Sequence, residues 1–212
     1  MSVLLLGHSF LRRLKDRLLP SARKQNLVWN RHLSRTLLAR LNIDQKFSDI
    51  YVLCEGLNFI NDIYQYISIV QDIHPSCILI EIGSNDLSKL HCYTPTRCLD
   101  LAHDVFMLAS ALETFTDLII IHGVLPRFSR IRSTADTFYR NCLLFNNNLK
   151  HFCDSGNKIK FVRLRGFYHT AHTEYPFWTT DGIHCNTDIG FDKYKARLRH
   201  SLLYHRHLLF ST

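Results

Sequence analysis

Hydrophobic residues along the chain fall into five short runs that are separated by longer amphipathic stretches. The runs are SVLLLGH (2–8), DIYVLC (49–54), CILIEIG (77–83), DLIIIHGVL (117–125) and IKFVRLRG (159–166). Four of them are nearly continuous in valine, isoleucine and leucine, which is typical of strands buried on both faces of a parallel sheet. The pattern therefore predicts five strands.

The stretches between the runs have the spacing of amphipathic helices. Apolar residues recur at i, i+3 and i+4 within residues 10–19, 31–41, 58–73, 97–113 and 134–152, and residues 188–207 predict a last helix. Strands that alternate with helices predict one α/β domain over residues 1–212. We expect a three-layer α/β/α sandwich with a mostly parallel, flavodoxin-like five-stranded sheet, which binds ligands outside the carboxyl ends of its strands.

Composition narrows the class of protein. A hydrophobic fraction of 46% with 21% charged residues is typical of a globular protein. No apolar run approaches the roughly 20 residues that cross a bilayer. The first run lacks the charged start and the cleavage site of a signal peptide, so a buried strand explains it better. These features predict an intracellular protein, cytoplasmic or nuclear, without a transmembrane segment.

Cysteines and histidines give little sign of a metal site. The seven cysteines form no C-x-x-C pair, which indicates reduced thiols in a reducing compartment. His169 and His172 form an H-x-x-H pair, but no cysteine or carboxylate stands beside it at ligand spacing. No metal is expected.

The net charge of +8 is unevenly distributed. Residues 1–40 contain nine lysines and arginines against Asp16 alone, while the remainder has 17 basic and 17 acidic residues. Two interpretations stay open: a solvated helix face, or a surface for an anionic partner such as nucleic acid. Within residues 10–40 only Phe10 and Trp29 are aromatic and no known binding motif occurs, which weakens the second interpretation.

Polar residues and glycines follow the predicted strands. GHS after the first strand contains Ser9, EG after the second contains Gly56, and GSND after the third contains Asn85. DGIH, after the fifth strand, contains Asp181 and His184. Each motif alone has an ordinary explanation, as a helix cap or a turn. All of them are nevertheless expected at the same edge of the sheet, where ligands bind.

Together these motifs resemble the SGNH hydrolase superfamily, also called the GDSL esterases, over residues 3 to about 200. The resemblance implies a serine esterase that forms an acyl-enzyme on Ser9, with His184 as the general base and Asp181 orienting it. It also implies an oxyanion hole made by the main-chain N–H groups of Ser9 and Gly56 and the side-chain amide of Asn85. The expected substrate is a small acyl ester, and neither a metal nor an organic cofactor is required.

One position departs from the family pattern. The usual GDS is GHS here, with His8 in place of an aspartate that is not the triad acid. The chemistry survives this change, but the support of the strand-end turn is altered. An SGNH-fold interaction module with weak or no activity, associated with nucleic acid through its basic N-terminal helices, is therefore the alternative. Esterase domains of this type also occur in proteins encoded by LINE retrotransposons, and a compact basic domain suits that origin by analogy.

Aromatic residues near the motifs have two interpretations. Phe177 and Trp178 precede DGIH, as does Tyr175, and Arg127 and Phe128 follow the fourth strand. They either pack in the core or line the substrate pocket. A pocket lined in this way would favour short acyl groups over long lipids.

Overall fold

The computed structural model describes residues 1–20, 31–54, 58–127, 132–154, 158–167, 177–179, 184–186 and 189–210. Within them lie five strands: β1 (Ser2–Gly7), β2 (Asp49–Leu53), β3 (Cys77–Glu81), β4 (Leu118–His122) and β5 (Ile159–Val162). Each strand lies within one of the predicted hydrophobic runs. The runs are longer because they continue into the loops at the carboxyl ends of the strands.

Seven α-helices occur in the same described ranges. They are α1 (Ser9–Leu18), α2 (Arg31–Leu41), α3 (Ile67–Ile73), α4 (Ser84–Ser88), α5 (Pro95–Leu112), α6 (Arg132–Cys153) and α7 (Ile189–His205). Short 3₁₀ helices cover Ile60–Tyr66, Glu113–Phe115 and Arg206–Phe210. No helix in the described ranges is both long enough and apolar enough to cross a membrane.

The five strands form one parallel sheet in the order β2-β1-β3-β4-β5. This is the flavodoxin-like order that the sequence predicted. In the register of the two central strands, Gly7 of β1 lies opposite Glu81 of β3. The loops that follow β1 and β3 therefore start side by side.

Helices cover both faces of the sheet, which confirms the predicted three layers. Val3 and Leu5 of β1 face one buried cluster, whose helical residues come from α1, α2 and α7. Leu4 and Leu6 face a second buried cluster, to which α3, α5 and α6 contribute. The alternation along one strand shows why its sequence is apolar throughout, since both of its faces are covered.

The local structure differs from the sequence prediction at three points. Residues 58–73, predicted as one helix, form a 3₁₀ helix followed by the short α3. The GSND loop begins the short helix α4 at Ser84. The cap of α1 is His8, and Ser9 is the first residue of that helix rather than its cap.

The basic residues of α1 do not all face solvent. Lys15 is 1% exposed, and its Nζ lies 3.7 Å from Asp16 Oδ1. The guanidinium of Arg17 lies 4.2 Å from the centre of the Phe191 ring. The interpretation of this region as a solvated helix face is therefore wrong for Lys15, whose long aliphatic stem lets it occupy a buried helix position.

Candidate active site

Ser9 lies at the carboxyl end of β1, one residue after His8. The Ser9 N–H donates to His8 Nδ1 at 2.7 Å, and Ser9 Oγ lies 3.2 Å from the same nitrogen. The His8 side chain is buried, at 3% exposure. Because Nδ1 accepts the main-chain N–H, His8 is neutral here and carries its proton on Nε2.

A chain of hydrogen bonds links Ser9 to Asn85. His8 Nε2 lies 3.2 Å from Ser84 Oγ, at the start of α4. Arg127 Nη2 donates to Ser84 Oγ and also to Asn85 Oδ1, both at 2.9 Å. His8, Ser84 and Arg127 thus connect the predicted nucleophile to the predicted oxyanion donor, although the two come from strands that are far apart in sequence.

The orientation of the Asn85 side chain follows from two contacts. Its Oδ1 accepts from Arg127, and its Nδ2 donates to the main-chain oxygen of Asn58 at 2.9 Å. An amide nitrogen has two N–H groups, so a second donor stays available after the bond to Asn58. Gly83 makes the turn before α4 at φ 101°, a backbone conformation that favours glycine.

His184 lies beside the Ser9 turn. Its ring centre is 6.0 Å from that of Phe10, the residue after Ser9. Its main-chain oxygen accepts from Thr179 N at 2.7 Å, and Trp178 pairs with Cys185 in an antiparallel bridge. The His184 segment is therefore fixed by residues 177–179.

The same segment is joined to the start of α7. Asn186 N donates to the main-chain oxygen of Phe177 at 2.8 Å, and Asn186 Oδ1 accepts from Gly190 N at 2.8 Å. A Cβ atom on Gly190 would lie 1.9 Å from the Phe177 oxygen, so this position needs glycine. The position of His184 thus depends on close main-chain contact between α7 and the preceding turn.

Burial changes the proton affinity of two groups next to the site. The pKa of His8 falls from 6.5 to about 4, chiefly because its imidazole is buried and also because Arg127, His184 and Arg12 are cationic or can become so. The pKa of Glu81 rises from 4.5 to about 7 because it is buried, although the Tyr194 hydroxyl donates to its carboxylate and opposes the rise. Near pH 7 His8 is neutral and Glu81 is partly protonated.

Solved structures resemble this arrangement of strands and helices. A GDSL-like lipase from Bacteroides thetaiotaomicron superposes with a TM-score of 0.64 at 16% identity, over 96% of this chain and 88% of the other. A carbohydrate esterase of family 3 from Talaromyces cellulolyticus gives a TM-score of 0.62 at 14% identity, over 98% of both chains.

A catalytic mutant of an acetylxylan esterase from Geobacillus stearothermophilus gives a TM-score of 0.60 at 15% identity, over 98% of this chain and 93% of the other. The chain has the SGNH hydrolase fold. No protein-family model and no curated protein sequence matches it at a significant level.

Three of the predicted SGNH site residues lie in the described part of the chain. Ser9 and Asn85 are joined through the hydrogen-bond chain, and the His184 ring lies 6.0 Å from that of Phe10, the residue after Ser9. Gly56 and Asp181 lie outside the described residues. The predicted hydrogen bond between Ser9 and His184 stays a prediction.

The predicted lining residues make contacts of different kinds. Trp178 is buried in the core against Phe10 and Phe167, at ring distances of 6.3 and 6.0 Å. Phe177 is half-buried under Lys193, whose Nζ lies 3.7 Å from the ring centre. Arg127 has the bridging contacts given above, while Phe128, Tyr175 and the H-x-x-H pair lie outside the described residues. The role of these side chains in lining a substrate pocket stays a prediction.

Sequence reasoning missed several residues that support the site. Glu81, Ser84 and Asn58 were given no role, yet Ser84 and Asn58 contact the hydrogen-bond chain directly. The signal for Glu81 was present, because it is the one charged residue in the run CILIEIG. Ser84 and Asn58 had no such signal, since serines and asparagines are ordinary in loops. In the described ranges no three histidine, cysteine, aspartate or glutamate side chains are grouped so as to hold a metal ion.

Proposed function

We propose that the protein is a serine esterase that hydrolyses short acyl esters through an acyl-enzyme on Ser9. The observation that carries this proposal is the hydrogen-bond chain that joins the Ser9 turn to the Asn85 amide, with His184 beside the same turn. A serine at a strand-to-helix turn, a nearby histidine and an oriented amide donor are the parts that acyl transfer requires. The esterases of the same fold support the choice of substrate class.

The reaction would proceed in two steps. Ser9 Oγ attacks the ester carbonyl carbon while His184 takes the hydroxyl proton, and His184 then returns that proton to the leaving alcohol. Water, deprotonated by His184, attacks the acyl-enzyme, and the bond from the acyl carbon to Ser9 Oγ breaks. His184 returns the proton to Ser9 Oγ as the acid is released. Asp181, three residues before His184, would accept the other imidazole N–H and stabilise the imidazolium.

The oxyanion would be stabilised unequally by its three predicted donors. The Ser9 N–H already donates to His8 Nδ1 at 2.7 Å, so it must leave that acceptor before it can bind the oxyanion. Asn85 has a second N–H, and Arg127 places a positive charge on its Oδ1 side. We therefore assign the larger share to Asn85 and the main-chain N–H of Gly56. Removing one such donor typically lowers kcat by about 10²–10³-fold.

The decisive experiment is a comparison of Ser9→Ala with wild type. The wild-type protein is expected to hydrolyse p-nitrophenyl acetate and to be labelled by a fluorophosphonate, whereas Ser9→Ala loses both properties. Ser48→Ala is the matched control, since Ser48 is an exposed serine before β2, at the opposite edge of the sheet. Both variants should unfold within about 1 kcal/mol of wild type, because Ser9 is not the cap of α1.

Two results would contradict this function. Labelling of folded Ser9→Ala at the wild-type rate would show that another nucleophile reacts. A folded wild-type protein that neither reacts with the probe nor turns over the ester would favour the alternative, an SGNH-fold interaction module without activity.

A further inference from the structure

The last third of the chain has a positive charge that the total count hides. Residues 41–140 contain seven lysines and arginines against twelve acidic residues, a net charge of −5. Residues 141–212 contain ten against five, a net charge of +5. The neutral remainder inferred from the sequence is therefore the sum of an acidic middle and a basic end.

Four of the ten lysines and arginines of residues 141–212 line one groove. The groove has a volume of about 690 Å³ and runs along the edge strand β5 between α6 and α7. Half of its twelve lining residues have basic side chains, and no described lining residue is acidic. The basic residues are Lys150, Arg163, Arg165, Arg197, His200 and His205.

Two of the basic groove residues make a hydrogen bond or an ion pair with a residue of α6 or the residue that follows it. Lys150 forms an exposed ion pair with Asp154 at 2.6 Å, and Arg163 Nη2 donates to the uncharged Asn147 Oδ1 at 2.7 Å. The latter bond joins the residue that follows β5 to α6.

The response of His205 reports the same positive field. The pKa of His205 falls to about 4, chiefly because its imidazole is buried and also because the neighbouring His207, Lys160 and His200 disfavour its charge. The repulsion between neighbouring positive charges decreases when an anion binds among them.

A stacking surface lies at one end of the groove. Tyr204 is 61% exposed, and its ring stacks on His200 with centres 5.7 Å apart and planes 25° apart. His205 contacts the edge of the Tyr204 ring at 4.9 Å. An exposed flat ring beside a row of cations fits a ligand that has both phosphates and planar bases.

We propose that this groove binds single-stranded nucleic acid. The phosphates lie against Arg163, Arg165 and Arg197, and a base stacks on Tyr204. A concave groove with a stacking surface fits a single strand better than the flat surface of an anionic membrane. The proposal does not depend on esterase activity, since Ser9, Asn85 and His184 are not among the described residues that line the groove.

Three of the basic side chains in the N-terminal helices make contacts within the protein. Lys15 is buried, Arg17 packs on Phe191, and Arg40 Nη1 donates to the main-chain oxygen of Leu18 at 2.7 Å. These three side chains are engaged within the protein.

Binding is tested by fluorescence anisotropy with a labelled single-stranded RNA of about 12 nucleotides at two salt concentrations. Arg163→Gln/Arg197→Gln is expected to weaken binding at low salt by about tenfold or more and to reduce the slope of log K against log salt by about 1.4, since each single-strand phosphate contact contributes about 0.7. Tyr204→Ala is expected to weaken binding by about tenfold without changing the slope, because stacking releases no counterions.

The matched control is Arg31→Gln/Arg35→Gln, which removes two exposed charges from α2 and should bind like wild type. If Arg163→Gln/Arg197→Gln does not fold, the exposed pair Lys150→Gln/Arg165→Gln replaces it, and near-UV circular dichroism checks each variant.

Equal weakening in the control and the groove variants would overturn the proposal. So would unchanged binding in the groove variants, no binding by wild type at low salt, or tighter binding to phosphatidylserine vesicles than to RNA. Failure here leaves the fluorophosphonate test of Ser9 unaffected.

Discussion

His8 and Glu81 should give the stability of the protein two opposite dependences on pH. Both side chains are buried, at 3% and 6% exposure, at the carboxyl ends of the neighbouring strands β1 and β3. The folded pKa of His8 is about 4 against an ordinary value of 6.5, and that of Glu81 is about 7 against 4.5. In the unfolded chain both groups take their ordinary values.

The signs follow from which state binds more protons. Between pH 4 and 6.5 the unfolded state binds more protons at His8, so its contribution to stability is lost as pH falls through this window. Between pH 4.5 and 7 the folded state binds more protons at Glu81, so its contribution is lost as pH rises through that window. The two slopes oppose each other.

The sizes are nearly equal. A change of one in pKa corresponds to about 1.4 kcal/mol, so each group contributes about 3.4 kcal/mol at its limit. Between about pH 7 and pH 5, linkage gives a loss of about 2 kcal/mol from His8 and a gain of about 2 kcal/mol from Glu81. In the wild-type protein the pH dependences from His8 and Glu81 therefore nearly cancel, and variants that lack one of the two groups should show them separately.

The assay is urea unfolding of wild type, His8→Asn and Glu81→Gln near pH 7 and near pH 5. Asparagine keeps an acceptor for the Ser9 N–H, and glutamine keeps one for the Tyr194 hydroxyl, while neither titrates. Relative to wild type, the free energy of unfolding of His8→Asn should rise by about 2 kcal/mol on going to pH 5, and that of Glu81→Gln should fall by about 2 kcal/mol.

The difference between two pH values removes any constant cost of each substitution. It also removes the contributions of His122 and His205, which have lowered pKa values as well and are present in all three proteins. Deviations of the same sign in both variants, or three parallel pH curves, would refute the reasoning.

Two further substitutions test the support of the site. Arg127→Met should lower kcat for p-nitrophenyl acetate by about tenfold with little change in KM, because Asn85 Oδ1 loses its partner. Arg127→Lys should restore most of the rate, since its ammonium can donate to the same atoms. An equal loss of kcat in both variants would contradict this role of Arg127. Gly190→Ala should lower the free energy of unfolding by about 1–3 kcal/mol in urea titrations, and it should lower kcat as well. The reason is that the new Cβ would push the turn that holds His184 away from α7. Wild-type stability in this variant would exclude the close contact with Phe177.

Strands were easier to predict than helices in this chain. A strand buried on both faces must be apolar throughout, so its hydrophobic run nearly marks its bounds. Residues 58–73 are different, because apolar residues three apart suit both a 3₁₀ and an α-helix. The sequence pattern placed a helix there but could not tell which kind. Lys15 shows a similar limit, since a basic residue in an amphipathic pattern was assigned to solvent.

The sequence predicted which residues form the candidate site, but not the hydrogen bonds that connect them. Ser9 and Asn85 follow strands that are more than seventy residues apart, and only the position of β1 beside β3 brings them to one edge. That strand order came from the fold class, not from any local pattern. The hydrogen bonds through Ser84 and Arg127 depend on side-chain geometry, which the sequence pattern does not predict.

The replacement of an aspartate by His8 illustrates how such geometry changes a sequence argument. From the sequence, the substitution only removes a carboxylate that supports the turn. In the structure, His8 accepts from Ser9 on one ring nitrogen and reaches Ser84 with the other, a span that an aspartate is too short to make in this way. The contact with the Ser9 N–H requires the neutral ring, because Nδ1 must accept, and burial keeps the ring neutral by lowering its pKa. The Ser9 turn is therefore supported by an uncharged side chain whose protonation would break its bond to the Ser9 N–H, and this is why the His8→Asn experiment tests the site and the fold together.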